Sequence, residues 1–113
     1  EFNASLHLKK PKVDCHKYSA GKVLVIAGSE GMTGAAILST YGALRSGAGL
    51  TTTTTPASLN EIYERLIIEG ITLPLEDHGK GYLSLDNYDS IEEKLNTPWY
   101  IKLYKWCCCC SCN

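Results

Sequence analysis

The apolar and polar positions of this chain fall into blocks that predict a strand, then a helix, then another strand. Val23 to Ala27 form an unbroken apolar run rich in β-branched residues, as in a strand buried on both faces of a parallel sheet. Beyond a glycine-rich turn, apolar residues recur at helical spacing from about Thr33. We expect the core-facing stripe of this helix to contain Ile37, Leu38, Tyr41, Leu44 and Ala48.

The glycine-rich turn from Gly28 to Gly34 is predicted to lead into the amino end of this helix, with Thr33 as its capping residue. Gly47 and Gly49 suit the helix end and the turn that follows it. A helix start at the carboxyl end of a parallel strand offers free N–H groups to an anion or a polar ligand. A strand–turn–helix joint without a ligand fits the same pattern, so both interpretations stay open.

Two further strand and helix pairs are predicted downstream. Leu50 to Thr55 is a strand whose five threonines need hydroxyl partners, which places it near an edge or among polar groups. Pro56 to Ile68 is predicted to be a helix, with Ser58 and Glu61 at capping-box spacing. Its inward stripe is predicted to be Leu59, Ile62, Tyr63 and Leu66.

The third pair completes the fold class. Ile71 to Leu75 is predicted to be a short strand, and Pro74 indicates its end or a sheet edge. Asp86 is expected to cap a helix from Asn87 to Leu95. Its inward residues are predicted to be Tyr88, Ile91 and Leu95. The order β-α-β-α-β-α predicts right-handed crossovers and a three-layer α/β/α fold around a parallel sheet.

The loop from Glu76 to Gly81 contains two neighbouring carboxylates and a histidine, Glu76, Asp77 and His78. Such residues can bind a metal ion, but adjacent side chains rarely converge on one ion without further ligands. We therefore interpret the loop as a solvated turn.

Composition narrows the classes of partner. The chain has 113 residues with a formal net charge of −1, which gives no reason to expect nucleic acid or an anionic membrane as a partner. No apolar run approaches the roughly 20 residues that span a bilayer, and no signal peptide is visible. Cysteines outside the carboxyl-terminal run are limited to Cys15, so a secreted disulfide framework is not predicted and we expect a cytoplasmic protein.

The two ends of the chain differ in character from its middle. Residues 1–15 are predicted to be a polar lead-in segment. Residues 96–113 are aromatic and then cysteine-rich, and no buried strand is recognised there, so we interpret them as an unrelated or out-of-frame tail. Consecutive thiolates cannot easily all point at one tetrahedral ion, and no specific metal is expected. Metal binding is the alternative for Cys107, Cys108, Cys109, Cys110 and Cys112.

Several short motifs occur between about His16 and about Leu95, namely His16-Lys17, Gly21-Lys22-Val23, Ala27-Gly28-Ser29, Gly34-Ala35-Ala36 and Leu44-Arg45-Ser46-Gly47-Ala48-Gly49-Leu50. Together they resemble the opening of the ADP- or ATP-dependent NAD(P)H-hydrate dehydratases. These enzymes form the carboxyl-terminal domain of the bifunctional NAD(P)H-hydrate repair enzymes and belong to the ribokinase-like superfamily. The resemblance implies a truncated ribokinase-like fold for residues 16–95.

The resemblance also implies an activity in cofactor repair. In the family, a phosphate from ADP or ATP, with Mg²⁺, turns the ring hydroxyl of NADH or NADPH hydrate into a leaving group, and elimination restores the cofactor. The second alanine of the Gly-Ala-Ala motif contacts the substrate, which implies a substrate-binding turn of Gly28, Ser29, Gly34 and Ala36. We expect a bulky residue at Ala36 to cost less stability than one at Ala43. A homo-oligomer is implied for full-length members.

The family's catalytic aspartate lies in a Gly-Thr-Gly-Asp motif that does not occur in this sequence, and neither does its lysine- and glycine-rich nucleotide turn. We therefore expect a fragment of a dehydratase, and no catalytic residue is assigned. A non-catalytic fragment that binds nucleotide or a partner is one alternative, and a small-molecule kinase of the same superfamily is another. The Gly-Ser-x-Gly-Met-Thr-Gly-Ala-Ala pattern resembles the dehydratases more than the kinases.

Overall fold

The computed structural model describes the side chains of residues 21–96 and also the backbone of residues 100–104. The predicted alternation of strands and helices is confirmed. In chain order the elements are β1 (Lys22–Ile26), α1 (Thr33–Arg45), β2 (Leu50–Pro56), a 3₁₀ turn (Ala57–Leu59), α2 (Asn60–Leu66), β3 (Ile71–Leu75), a second 3₁₀ turn (Leu85–Asn87), α3 (Tyr88–Leu95) and β4 (Tyr100–Tyr104).

The four described strands form one parallel sheet in the order β3-β2-β1-β4. From β1 to β3 the chain steps in one direction, and it then returns past β1 to reach β4. Helices α1 and α2 contact each other and the sheet, as expected for right-handed crossovers that follow in the same direction. The predicted parallel α/β fold is confirmed. The direction of winding reverses between β1 and β4, which is where open α/β sheets commonly bind ligands.

The expectation that no strand follows Asn96 is wrong. β4 pairs in parallel with β1, from Lys22 beside Tyr100 to Ile26 beside Tyr104. β1 therefore has a neighbour on each side, which agrees with its unbroken apolar sequence. The lead-in of residues 1–15 and the cysteines from Cys107 onward lie outside the described residues, so those assignments stay predictions.

The contribution of α1 to the core between the sheet and helices α1 and α2 consists of small side chains. The buried cluster of this core consists of Val23, Val25, Ala27, Ala36, Ala43, Tyr63 and Ile67. The predicted stripe of α1 is wrong at Leu38, which is 73% exposed, although Ile37 and Ala48 pack against the cluster. Small residues face the sheet because they let the helix backbone approach it closely.

The threonine strand β2 is buried and lies between β1 and β3, so its predicted edge position is wrong. The alternative of polar partners is confirmed. The Thr53 and Thr40 hydroxyls lie 2.6 Å apart, and the Thr54 hydroxyl donates to the carbonyl of Val25 at 3.2 Å. These bonds offset the cost of burying hydroxyl groups in the sheet.

The amino ends of helices α1 and α2 differ from the sequence-based predictions. Met32, rather than Thr33, is the N-cap of α1, and it makes no side-chain cap hydrogen bond. Ser58 lies in the 3₁₀ turn that precedes α2 and bonds to Asp77, so it does not form the predicted capping box with Glu61.

The inward residues of α2 and α3 also differ from the predicted stripes. Tyr63 is buried as predicted, but Ile62 and Leu66 are 42% and 50% exposed. Tyr88, predicted to face inward from α3, is 57% exposed. Only tertiary contacts decide which side of so short a helix is covered.

The N-cap of α3 is Asn87 rather than the predicted Asp86, and it makes no side-chain cap hydrogen bond. Ser84 and Asn87 form a capping box on the 3₁₀ turn, with a hydrogen bond of 3.0 Å from the Ser84 N–H to the Asn87 side chain. Among the helices that the structure describes, none has the length and apolar character needed to cross a membrane.

Candidate functional site

The turn after β1 lies at the carboxyl edge of the sheet, beside the point where the winding direction reverses. Two of its glycines have positive φ, +101° at Gly28 and +76° at Gly31. Glycine adopts this backbone region at little cost, so the glycine-rich sequence accounts for the sharp path from β1 into α1. Ligands bind outside this edge of open parallel sheets.

Gly28 is required for packing beneath the turn. A Cβ built on it would collide with the hydroxyl of Tyr63 and would lie 3.2 Å from the Cβ of Ala36. Tyr63 and Ala36 are both 0% exposed. A side chain at position 28 would therefore point into the core. Because Gly28 has none, Tyr63 of α2 can approach the turn closely.

Of the four site residues predicted from the sequence, three are buried and one is exposed. Gly28, Ser29 and Ala36 are buried, with Ala36 in the hydrophobic cluster. Gly34 is exposed, and no atom of the described residues lies within 4 Å of a Cβ built there. The open space predicted above the amino end of α1 is therefore present at Gly34.

The electrostatics at the exposed amino end of α1 favour a polar or anionic group. Met32 is 40% exposed at the N-cap of α1, and the first turn of the helix contains no acidic residue. The amino end of a helix carries partial positive charge and N–H groups without intrahelical partners. The turn can therefore hold a polar group of a ligand through its backbone, without a charged side chain.

The loop that follows β3 packs against the turn that follows β1. The N–H of Glu30 donates to the carbonyl of Gly81 at 2.7 Å, and Ser29 forms an antiparallel bridge with Tyr82. Gly81 has a φ of +73°, and a Cβ there would lie 3.0 Å from the Cβ of Glu30. A residue larger than glycine at this position would push the two loops apart.

Asp77 connects this loop to the segment that follows β2. Its Oδ1 accepts the N–H of Ser58 at 3.2 Å, and its Oδ2 accepts the Ser58 hydroxyl at 2.5 Å and the N–H of Gly81 at 2.8 Å. Asp77 is only 4% exposed. The interpretation of this loop as a solvated turn is therefore wrong at Asp77, although Glu76 and His78 are exposed.

The hydrogen bonds to Asp77 stabilise its charged form. The Ser58 hydroxyl is the largest cause of a lowered pKa, which falls from 3.8 to about 2 although burial opposes the change. The N–H groups of Gly81, Ser58 and Gly79 act in the same direction as the hydroxyl. At neutral pH, Asp77 is an ionised carboxylate surrounded by protein donors.

The three residues first considered as metal ligands do not converge on one point. The Glu76 carboxylate accepts the backbone N–H of His78 at 2.8 Å and lies 3.8 Å from His78 Nδ1, whereas the Asp77 carboxylate faces Ser58 and Gly81. Across residues 21–96, no three His, Cys, Asp or Glu side chains are grouped to hold a metal ion. Sequence reasoning did not identify Asp77 as a buried residue, because Glu76 is an equally plausible carboxylate in the same loop.

Comparisons with known proteins identify relatives of this chain. A family model described as NAD(P)H-hydrate dehydratase matches residues 23–91. The bifunctional NAD(P)H-hydrate repair enzyme Nnr of Dictyoglomus turgidum is 42% identical over 87 residues, and that of Moorella thermoacetica is 36% identical over 88. These alignments cover 77% and 78% of this chain, but the chain spans only 17% of each relative.

A solved structure supports the fold. The ribokinase-like superfamily protein of Enterococcus faecalis V583 superposes with a TM-score of 0.57 at 24% sequence identity. The superposition covers 76% of this chain and 36% of the other. The predicted truncated ribokinase-like fold is therefore confirmed for the part of the chain that superposes.

Proposed function

Because the chain belongs to the NAD(P)H-hydrate dehydratase family, we propose that it is part of an enzyme that restores NAD(P)H from its hydrate with ADP or ATP. The turn from Gly28 to Ala36 is the part that we assign to the hydrated cofactor. A cytoplasmic location is part of the proposal, because the cysteine distribution does not favour a secreted protein. The proposal assigns neither Mg²⁺ nor the nucleotide to a particular residue of this chain.

The open space at Gly34 is the observation that carries this proposal. Gly34 begins the Gly-Ala-Ala motif of the family resemblance, and no described atom would contact a side chain placed there. Because the position is exposed on the first turn of α1, the fold itself does not require glycine for packing. A ligand that approaches the helix end would explain a residue without a side chain.

Binding to the 113-residue chain is the first test. NADPH hydrate should bind to the purified chain in a calorimetric titration, and NADPH should bind more weakly. The chain itself is expected to show no turnover with ADP or ATP, because its sequence does not contain the Gly-Thr-Gly-Asp motif. A chimera of the Dictyoglomus turgidum enzyme, with residues 23–91 of this chain in place of its matching segment, should restore NADPH.

A pair of matched variants tests whether the turn contacts the ligand. Gly34→Leu should weaken hydrate binding at least about tenfold, because its side chain would occupy space needed by the ligand. Gly42→Leu lies on the same helix at an equally open position and should leave binding unchanged. Equal hydrate affinity in the two folded variants would contradict the assignment. A chimera that folds but leaves the hydrate unchanged would favour a non-catalytic binding role.

A further inference from the structure

One carboxylate connects the segments that follow three neighbouring strands. Asp77 follows β3 and bonds to Ser58, which follows β2, and to Gly81. Gly81 in turn bonds to Glu30, which follows β1. Since β3, β2 and β1 are adjacent and parallel, these segments share one edge of the sheet.

The connection from Asp77 to Glu30 passes through a single residue. Gly81 donates its N–H to Asp77 Oδ2 at 2.8 Å, and its carbonyl accepts the N–H of Glu30 at 2.7 Å. The two bonds lie on either side of the same Cα atom. The Asp77 carboxylate is therefore connected to the turn after β1 through two consecutive hydrogen bonds.

We propose that Asp77 is a positioning residue for the turn from Gly28 to Met32. Its buried carboxylate holds Gly81, and the Gly81 carbonyl in turn fixes the position of the Glu30 backbone near the amino end of α1. Asp77 does not contact the substrate in this role and acts through Gly81. The functional part of this inference rests on the proposed assignment of the turn to the hydrated cofactor.

Substitution of Asp77 by asparagine weakens the connection at Gly81. In Asp77→Asn, the single carbonyl oxygen can replace only one carboxylate oxygen, so the new amide group must face either the N–H of Gly81 or the N–H of Ser58, which are both donors. In the first orientation the bond to Gly81 is lost, and in the second it is reduced from a charge-assisted bond to a weaker neutral one. Ser58→Ala is the matched control, because it removes the hydroxyl bond and leaves the bond to Gly81.

Hydrogen exchange in the 113-residue chain tests the geometric part of the inference. The exchange rate of each amide in a variant is compared with that in the wild type after the contribution of global unfolding has been subtracted. In Asp77→Asn, the amides of Glu30 and Gly81 should exchange about tenfold faster or more. In Ser58→Ala, both amides should exchange near the wild-type rate, even if the variant loses as much stability. Unchanged protection of Glu30 in Asp77→Asn would overturn the inference.

Hydrate binding to the same variants tests the functional part. Asp77→Asn should weaken the binding of NADPH hydrate about tenfold, and Ser58→Ala should not. If the affinity for the hydrate falls in proportion to the loss of stability in both variants, Asp77 has only a structural role, and the positioning role is overturned. If the wild-type chain binds no hydrate but Glu30 loses protection in Asp77→Asn, the positioning of the turn is supported and the proposed function fails.

Discussion

The hydroxyl of Tyr63 lies where Gly28 would carry its Cβ. Tyr63 belongs to α2, whereas Gly28 lies in the turn between β1 and α1. The aromatic side chain is fully buried and supports the turn from below. The position of this turn is therefore set by a helix that follows α1 and β2 in the chain.

Gly28→Ala should destabilise the protein strongly. The new methyl group would collide with the Tyr63 hydroxyl, and the φ of +101° is unfavourable for any residue with a side chain. Strain and overpacking together should lower the free energy of unfolding by about 2–4 kcal/mol in urea denaturation. Adding Tyr63→Phe should recover part of the loss. An unfolding midpoint equal to that of the wild type would show that the turn rearranges freely.

Ala36→Leu should cost more stability than Ala43→Leu, which reverses the order expected from the sequence. Ala36 is 0% exposed and packs beside Gly28, whereas Ala43 is 8% exposed near the other end of α1. Extra methylene groups in a packed core cost about 1–3 kcal/mol. Thermal unfolding of the two variants measures the difference. A higher melting temperature for Ala36→Leu than for Ala43→Leu would contradict the packing described here.

Thr51→Val should stabilise the fold, although Thr51 is on the same strand face as Thr53. The buried Thr51 hydroxyl has no hydrogen-bond partner among the described residues. Its removal relieves a desolvation cost and should raise the free energy of unfolding by about 1 kcal/mol.

Thr53→Val is the matched comparison and should destabilise the fold. The Thr40 hydroxyl donates to the carbonyl of Ala36 at 2.9 Å, so Thr53 must be the donor in its 2.6 Å bond to Thr40. Loss of this bond should cost about 1 kcal/mol in urea denaturation. The same sign for both valine variants would show that these hydroxyl contacts do not determine stability.

The stability contributed by Asp77 should depend on pH in a defined range. Its folded pKa of about 2 lies below the ordinary 3.8, because the ionised form accepts hydrogen bonds from Ser58 and Gly81. This contribution is present above pH 3.8 and is lost as the pH falls from about 3.8 toward 2. The stability difference between the wild type and Asp77→Asn should therefore shrink over this range. A difference that stays constant down to pH 2 would contradict the lowered pKa.

The sequence by itself determined strands β1 to β3 and helices α1 to α3, but not β4. The apolar run before Gly28 identified β1, because a strand covered on both faces needs apolar residues without alternation. Gly47, with its φ of +97°, ends α1 as its position indicated. The family motifs extended this local information to the topology, which agrees with the parallel order of β1, β2 and β3.

Only the tertiary structure decided which sides of these elements are buried. Leu38 and Ala36 are both on α1, and the larger apolar residue is the exposed one because the helix lies close to the sheet. Thr53 is buried because a partner hydroxyl comes from α1, and Asp77 is buried because Ser58 and Gly81 supply donors from distant segments. Periodicity reports the local conformation of the chain, but burial depends on which partners the fold brings to each residue.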